Sequence, residues 1–211
     1  MLFNFQNLKD KFNLSINGII HIGAHYGEEI DTYKSNCIHD IICFEPLLSN
    51  FHILENLAAN KAELFNLALG NDNKKISMYV EEANNGQSSS ILKPDVHLQQ
   101  YPHIIFNKET LVDMIKLDDF MICYKANCKN KNKKFNMINI DVQGYELEVF
   151  KGAKNTLKNI DYIMSEVNRD YLYKGCALVE EVDEFLSSFG FERSETFWAG
   201  GTWGDALYIK K

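Results

Sequence analysis

The stretch 19–27 constrains the fold more than any other part of the chain. It reads Ile-Ile-His-Ile-Gly-Ala-His-Tyr-Gly. The apolar run 19–22 predicts a buried strand, and Gly23 and Gly27 predict a tight turn that leads into a helix. A strand, a glycine turn and a helix let a ligand approach bare backbone beside a helix N-terminus. We therefore expect an α/β domain with a ligand site at this turn.

The residues around the turn indicate which ligands it tolerates. The two glycines do not form the Gly-x-Gly-x-x-Gly fingerprint of dinucleotide-binding proteins. Glu28 and Glu29 follow directly and would repel a diphosphate, whereas S-adenosylmethionine, with its sulfonium, ammonium and carboxylate, would be tolerated. In the alternative interpretation the glycines only permit the turn, and the two glutamates only complement the helix dipole.

Composition limits the class of protein. The chain has 211 residues, 45% of them hydrophobic, and a net charge of −7. These values favour a single globular, soluble domain over 1–211, and they argue against nucleic acid as a partner. No apolar run is long enough for membrane insertion, and the first residues do not resemble a signal peptide.

The cysteines and the residue usage bear on the compartment and the source. Five cysteines form no Cys-x-x-Cys pair, which favours reduced thiols and a cytoplasmic location. The abundance of Asn, Lys and Ile is typical of AT-rich genomes, such as those of large viruses, whose proteins act in the host cytoplasm, or of host-associated bacteria.

Hydrophobic periodicity predicts alternating strands and helices after a leading helix within 1–17. The predicted strands cover about 18–23, 41–44, 64–69, 76–80, 110–115, 135–140, 162–164, 192–197 and 206–209. The predicted helices cover about 26–34, 46–58, 145–157 and 178–189, and a further helix is predicted to start at 117. This order predicts an open, mostly parallel sheet with helices on both faces and a terminal antiparallel hairpin. The polar segment 81–107 is expected to be an inserted loop or lid, and the Lys- and Asn-rich run 125–134 a surface loop.

Polar residues recur where predicted strands end, at Gly23, Glu45, Asp141 and Glu166. Ligands of open parallel sheets bind outside these carboxyl ends. Glu45 is placed to accept hydrogen bonds from both ribose hydroxyls of an adenosine, or is merely an acid at a helix start. Asp141 and Glu146 either hold the methionine part of a cofactor or the acceptor, or they only complement a helix dipole. Glu166 is either a general base or a capping acid.

Five segments in this order resemble the FkbM-type methyltransferases, a family of class I S-adenosylmethionine-dependent enzymes. They are Gly-Ala-His-Tyr-Gly at 23–27, Phe-Glu-Pro at 44–46, Leu-Ala-Leu-Gly at 67–70, Ser-Ser-Ser at 88–90 and Ile-Asp-Val-Gln-Gly-Tyr-Glu at 140–146. The resemblance covers about 18–210. It implies a seven-stranded, Rossmann-like sheet with a reversed last strand, S-adenosylmethionine as cofactor and S-adenosylhomocysteine as product.

The resemblance also implies site residues. The cofactor contacts would be Gly23, Ala24, His25, Tyr26, Gly27, Glu28, Glu45, Asn66, Ala68, Ser89 and Asp141. The candidates for the base are Asp141, Glu146, Glu166, His25 and His97. His25 stands where many family members have Asn, so its ring either donates to the cofactor carboxylate, acts as a base, or simply replaces the amide.

Family members methylate hydroxyl oxygens of polyketides and sugars, including 6-deoxyhexoses in glycans. A sugar acceptor such as rhamnose or fucose is favoured here, because aromatic side chains that stack on sugars are available at Tyr26, Tyr173, Trp198 and Trp203. A divalent metal is not favoured, because Asp141 has no obvious second ligand. The alternatives are a polyketide or other small-molecule acceptor, a nicotinamide-dependent dehydrogenase, and a non-catalytic nucleoside-binding module. The chain would also suit one module of a longer glycan-building polypeptide, and its oligomeric state is not predicted.

Overall fold

A computed structural model describes residues 2–127 and 133–211 of the chain. The ten strands in these ranges are β1 Gly18–Ile22, β2 Asp40–Phe44, β3 Glu63–Phe65, β4 Ala68–Leu69, β5 Lys74–Glu81, β6 Phe106–Ile115, β7 Met137–Ile140, β8 Tyr162–Asn168, β9 Phe191–Ala199 and β10 Trp203–Lys210. The helices are α1 Phe5–Lys11, α2 Ile30–Ser35, α3 Leu48–Ala58, α4 His97–Gln100, α5 Leu117–Asn127, α6 Glu146–Lys151 and α7 Val179–Ser187, with a 3₁₀ helix at Thr156–Asn159.

Seven strands form one sheet in the order β3-β2-β1-β7-β8-β10-β9. The pairs from β3 to β8 are parallel, and β10 runs antiparallel to both β8 and β9. The predicted mostly parallel sheet with a terminal antiparallel hairpin is therefore confirmed. This order places β1 between β2 and β7, so the ends of the three strands meet at one edge.

The central strands are apolar because the sheet is covered on both faces. All five residues of β1 are buried. Ile20 and Ile22 pack into the core cluster on one face, which also contains residues of β5 and β6, and Ile19 packs into the cluster on the other face with α1 and α2. Alternate side chains of one strand thus anchor both layers.

The predicted strand 64–69 is wrong, because the chain breaks there into two strands of different sheets. β3 ends the large sheet, and β4 joins a three-stranded sheet in the order β4-β6-β5. Asn66 lies between them, and its side-chain amide donates to the carbonyls of Glu45 and Pro46 at 2.9 and 3.0 Å. These bonds direct the chain away from the large sheet at Asn66.

Several element boundaries also differ from the sequence predictions. α2 begins at Ile30 and not near 26, because Gly27 adopts a left-handed φ of +82° that interrupts a helix. α6 ends at Lys151, before Gly152, and does not extend to 157. β8 continues to Asn168, so Glu166 lies inside a strand and not after one.

The inserted segment packs against the rest of the domain. Ser90 forms an isolated bridge with Tyr79 of β5, and Pro94 forms another with Tyr173. Of the predicted surface loop 125–134, residues 128–132 lie outside the described residues, and so does Cys128. Cys37, Cys43, Cys123 and Cys176 are free thiols. Among the described residues, no helix has the length and apolar character needed to cross a membrane.

Candidate functional site

A cavity of about 740 Å³ lies at the carboxyl ends of the central strands. Volumes in this range suit cofactors and drug-sized ligands. It collects most of the residues that the sequence pointed to, namely Gly23, Ala24, His25, Glu28, Glu45, Ala68, Ser89, His97, Asp141 and Glu166. The predicted cofactor contacts Tyr26, Gly27 and Asn66 and the candidate base Glu146 are not among its lining residues in the part of the chain that the structure describes.

The turn after β1 is held by the strands on both sides. Gly23 donates its N–H to the carbonyl of Phe44 at 3.0 Å, and Asp141 donates its N–H to the carbonyl of Ile22 at 3.0 Å. Gly23 has a φ of +78°, and a Cβ there would lie 1.9 Å from the Asp141 carbonyl oxygen. Only glycine therefore allows the ends of β1 and β7 to approach this closely.

Glu45 brings a buried carboxylate to the end of β2. Its side chain accepts backbone hydrogen bonds from Leu47 and His25, each at 2.9 Å. Burial raises its pKa to about 7, although these two donors oppose the shift. Each carboxylate oxygen retains a second lone pair, so Glu45 can still accept hydrogen bonds from a diol such as ribose.

Both ring nitrogens of His25 are engaged. Nδ1 lies 2.6 Å from Glu28 Oε1, and Nε2 lies 2.9 Å from the Asn85 carbonyl oxygen. Burial alone would lower the pKa of His25, but the Glu28 carboxylate and the Asn85 carbonyl raise it above its usual value. In this arrangement neither nitrogen is free to take a proton, and the ring fastens the inserted segment to the turn.

Glu146 is buried behind the loop that follows β7. Its Oε1 accepts the backbone N–H groups of Val142 and Gly144 at 3.0 and 3.2 Å. Burial raises its pKa to about 7. Because these contacts face the loop, Glu146 shapes the backbone around Asp141.

Gln143 links two carboxylates that line the cavity, and no sequence pattern singled it out. Its side-chain amide donates to Asp141 Oδ1 at 2.8 Å and to Glu166 Oε2 at 2.9 Å. Its side-chain oxygen lies 2.8 Å from the Tyr173 hydroxyl. Gln143 has a left-handed φ of +55°, which is uncommon for a residue with a side chain. The sequence signal that could have identified Gln143 as a site residue was its position inside the motif at 140–146.

Carboxyl groups are closer together here than the sequence indicated. The expectation that Asp141 has no obvious second metal ligand is wrong, because ligand oxygens of Asp141, Glu146 and Glu166 lie within 4.8 Å of one another. Burial and then the neighbouring Asp141 raise the pKa of Glu166 well above its usual range. Such a group can share a proton or hold a divalent cation.

Asp205 was also missed, although strand pairing locates it. It lies directly opposite Glu166 across the β8–β10 pair, so both side chains stand on the same face. Burial raises the pKa of Asp205 to about 6, and it accepts the backbone N–H of Leu2. Asp205 thus adds a further acid to this side of the cavity.

The inserted segment, together with Leu172 and Trp203, builds one wall of the cavity. His97 donates its backbone N–H to the carbonyl of Leu172 at 3.1 Å, and the Trp203 indole N–H donates to the Tyr101 hydroxyl at 2.9 Å. All four residues line the cavity. Of the four aromatic residues expected to stack on a sugar, Trp203 lines the cavity.

The other three aromatic candidates have different neighbours. Tyr26 stacks on His25 with ring centroids 3.8 Å apart, and the Arg169 guanidinium lies 3.5 Å from the ring centroid of Trp198. Tyr173 is fully buried. None of the three is among the described residues that line the cavity.

Comparison with known families gives one match over most of the chain. The sequence profile described as the Methyltransferase FkbM domain matches residues 21–193. The 2-O-methyltransferase NoeI of Sinorhizobium fredii (strain NBRC 101917 / NGR234) is 28% identical over 179 residues, which are 81% of this chain and 71% of that protein.

Solved structures share the fold at low sequence identity. The N-methyltransferase NodS from Bradyrhizobium japonicum WM9, in complex with S-adenosylhomocysteine, is similar with a TM-score of 0.51 and 9% identity, over 97% of this chain and 84% of that chain. Magnesium protoporphyrin IX methyltransferase from Synechocystis PCC 6803, with bound S-adenosylmethionine, has a TM-score of 0.51 and 7% identity, over 97% and 74%. The fold is therefore that of the class I methyltransferases.

Proposed function

Because the chain belongs to the FkbM methyltransferase family, we propose that it transfers a methyl group from S-adenosylmethionine to a hydroxyl oxygen of a sugar. The observation that carries this proposal is the meeting of three strand ends in one cavity. The glycine turn after β1, Glu45 after β2 and Asp141 after β7 all line it. A 6-deoxyhexose such as rhamnose or fucose in a glycan is the proposed acceptor.

The donor groups around the cavity fit S-adenosylmethionine. Glu45 has free lone pairs for the ribose diol, and Ala68 with Leu67 gives an apolar wall for adenine. Asp141 and Glu28 bring negative charge, which suits a ligand that carries a sulfonium and an ammonium. NodS and the Synechocystis enzyme, which share this fold, were solved with the same cofactor or its product.

The bound cofactor would supply an electrophilic methyl group, and the residues of this chain would manage the acceptor proton. Asp141 lies at the end of β7 with one oxygen held by the Gln143 amide. The same amide holds Glu166, so the two carboxyl groups face one reacting region. We assign Asp141 as the base that takes the hydroxyl proton and Glu166 as the group that shares it. General base catalysis contributes about 10²–10⁴-fold.

Oxygen as the methylated atom is supported by the relative NoeI, whose name states 2-O-methyl transfer. A sugar is supported by the wall of Trp203 and Tyr101. An indole face packs well against the C–H surface of a pyranose, and a phenol hydroxyl hydrogen-bonds to it. The backbone contact between His97 and Leu172 fixes this wall to the segment that follows β8.

Calorimetric titration tests the cofactor site first. S-adenosylmethionine and S-adenosylhomocysteine should bind to the wild type. Glu45→Ala should make the binding free energy of both compounds less favourable by about 1–3 kcal/mol. Glu55→Ala, an exposed acid of α3, is the matched control and should bind as the wild type does. Absence of binding by both compounds, or tighter binding of NAD, would overturn the proposal.

Methyl transfer to defined acceptors tests the substrate class. Rhamnosides and fucosides are incubated with the protein and S-adenosylmethionine, and methyl ethers are detected by mass spectrometry. Methylation of a sugar hydroxyl supports the proposal. Cofactor binding with no sugar methylated, but with a polyketide methylated, would retain the methyltransferase and replace the acceptor. Binding with no acceptor methylated would favour a non-catalytic nucleoside-binding module.

A further inference from the structure

The segment 82–89, which follows β5, forms part of the cavity wall next to the glycine turn. Residues 84 and 86–89 line the cavity. The buried carboxylate of Glu81 holds both halves of the segment, because it accepts the backbone N–H of Asn84 at 2.7 Å and that of Ser88 at 3.3 Å. The length of main chain between residues 84 and 88 is therefore matched to one side chain.

The middle of this segment is held by residues at the ends of β1 and β2. The backbone carbonyl of Asn85 accepts the side-chain amide of Asn50 at 3.3 Å, and His25 Nε2 lies 2.9 Å from the same oxygen. A Cβ on Gly86 would lie 2.8 Å from Asn50 Nδ2, so the main chain here is in close contact with α3. A longer main chain at this point would displace the wall of the cavity.

Asn85 and Gly86 have the features that favour succinimide formation. In an Asn-Gly pair the glycine nitrogen can attack the side-chain amide carbon, because no side chain on the glycine shields it and its backbone is permissive. Asn85 is exposed. Among the described residues, neither its side chain nor the backbone N–H of Gly86 has a hydrogen-bond partner. No contact therefore holds the two reacting groups apart.

The chain contains a second Asn-Gly pair, at Asn17 and Gly18, in a different environment. Gly18 is the buried first residue of β1, and it lies opposite Asp40 of β2. A Cβ on Gly18 would lie 2.6 Å from the Lys134 carbonyl oxygen and 2.8 Å from that of Asp40. The sheet thus opposes the backbone rotation that the attack requires, and this pair is an internal control.

We propose that Asn85 is a site of spontaneous deamidation and isomerisation, and that isoaspartate formed there releases the 82–89 segment and weakens cofactor binding. The Gly86 nitrogen bonds to Cγ of Asn85, the bond from Cγ to the amide nitrogen breaks, and ammonia leaves with the proton of the attacking nitrogen. Water then opens the succinimide at either carbonyl. The products are aspartate, with the original main chain, and isoaspartate, whose main chain runs through Cβ and Cγ.

The isoaspartate product does not fit the contacts of this segment. Its main chain gains one carbon atom between residues 84 and 88, so the Glu81 carboxylate can no longer hold both N–H groups. Gly86 can no longer keep its position against Asn50. The aspartate product keeps these contacts, because its main chain is unchanged. The modification is independent of the proposed function, whereas its effect on cofactor affinity rests on it.

Peptide mapping tests the modification itself. The purified protein is stored in mildly alkaline buffer, and proteolytic peptides are analysed over time by mass spectrometry with fragmentation that distinguishes isoaspartate from aspartate. Isoaspartate should accumulate at Asn85 and not at Asn17. Absence of deamidation at Asn85, or equal rates at the two positions, would overturn the proposal.

Calorimetry with S-adenosylhomocysteine tests the consequence. Deamidated protein carries one more carboxylate and is isolated by anion exchange; its affinity should be lower than that of unmodified protein by about tenfold. Asn85→Asp adds the same charge on a normal main chain and should bind as the wild type does. Asn85→Gln, which disfavours the five-membered ring, should keep its affinity on storage. Gln143 already adopts a similar φ of +55°, so glutamine is tolerated in this conformation.

The outcomes separate the inference from the proposed function. Deamidated protein that binds as tightly as Asn85→Asp would show that the segment is not released. A loss of affinity in stored Asn85→Gln as fast as in the wild type would place the cause elsewhere and also overturn the inference. If fresh wild-type protein does not bind S-adenosylhomocysteine, the proposed cofactor site fails, while the peptide map still decides whether Asn85 is modified.

Discussion

The backbone N–H of His25 donates a hydrogen bond to the carboxylate of Glu45 over 2.9 Å. This bond joins the turn after β1 to the end of β2, and Glu45 also accepts from Leu47. The carboxylate is therefore fixed in position before any ligand arrives. A preorganised acceptor loses little conformational entropy on binding, which favours affinity.

The buried position of Glu45 gives the free protein a defined pH dependence. Its folded pKa of about 7 lies above its ordinary value of 4.5, so the folded state holds the proton more tightly. The contribution of Glu45 to stability is greatest below about pH 4.5 and declines as the pH rises towards 7. The free energy of unfolding, measured in urea, should decrease between pH 5 and pH 8 in the wild type. In Glu45→Gln this decrease should be smaller, by on the order of a few kcal/mol. An equal decrease in the two proteins would contradict the raised pKa of Glu45.

Gly23→Ala should destabilise the protein far more than the left-handed φ angle of Gly23 alone predicts. The new Cβ would collide with the Asp141 carbonyl, whereas Gly175 has a similar φ of +77° and nothing within 4 Å of its Cβ position. Gly175→Ala should lower the free energy of unfolding by about 1–2 kcal/mol, because alanine is disfavoured in the left-handed conformation. Gly23→Ala should cost more than this and abolish S-adenosylhomocysteine binding. Chemical unfolding measures the loss of stability, and calorimetry measures the binding of S-adenosylhomocysteine. An equal loss of stability in the two variants would show that the close approach of Gly23 to the Asp141 carbonyl is unimportant.

His25→Asn separates a structural role from a catalytic one. Asn tolerates the left-handed φ of +48° at this position. Because both ring nitrogens are engaged with Glu28 and Asn85, the variant should weaken cofactor binding several-fold and lower kcat by less than about tenfold. Single-turnover methyl transfer at saturating cofactor provides the measurement. A loss on the order of 10³-fold in kcat with unchanged cofactor affinity would instead identify His25 as the base.

Gln143→Met should lower kcat more than it lowers affinity. Met has similar length but cannot donate to Asp141 or Glu166, so their carboxyl groups would lose their common orientation. We expect kcat to decrease by about 10–100-fold and the pH profile to shift, with the Kd of S-adenosylhomocysteine within about threefold of wild type. Tyr173→Phe, which removes one contact to the Gln143 oxygen, should have a smaller effect. Loss of cofactor binding in Gln143→Met would show that the residue supports the whole loop.

The sequence identified the main sheet because its signals are local. Buried strands such as β1 and β7 are continuous apolar runs, and their polar ends at Gly23 and Asp141 follow them directly. Parallel topology then brings those ends together without further information. The family motifs added the expectation of a seven-stranded sheet with a reversed strand, which the structure bears out.

The remaining features depend on contacts that are remote in sequence. Asn66 diverts the chain by bonding carbonyls about 20 residues earlier, so the split of the predicted strand 64–69 could not be read from periodicity. Asp205 joins the acids of the cavity through its pairing with Glu166, which requires knowing the register of β10 against β8. Gln143 was in view, but its role follows from a left-handed φ that the sequence does not disclose.

The inserted segment leaves and re-enters the small sheet at neighbouring positions. Glu81 at the end of β5 lies directly opposite Phe106 at the start of β6. The segment between them, which includes His97 and Tyr101, therefore begins and ends at neighbouring positions of the small sheet. A segment of different length can replace this one without moving β5 or β6. The part of the cavity wall that this segment supplies can consequently change while the strand ends at Gly23, Glu45 and Asp141 stay in place.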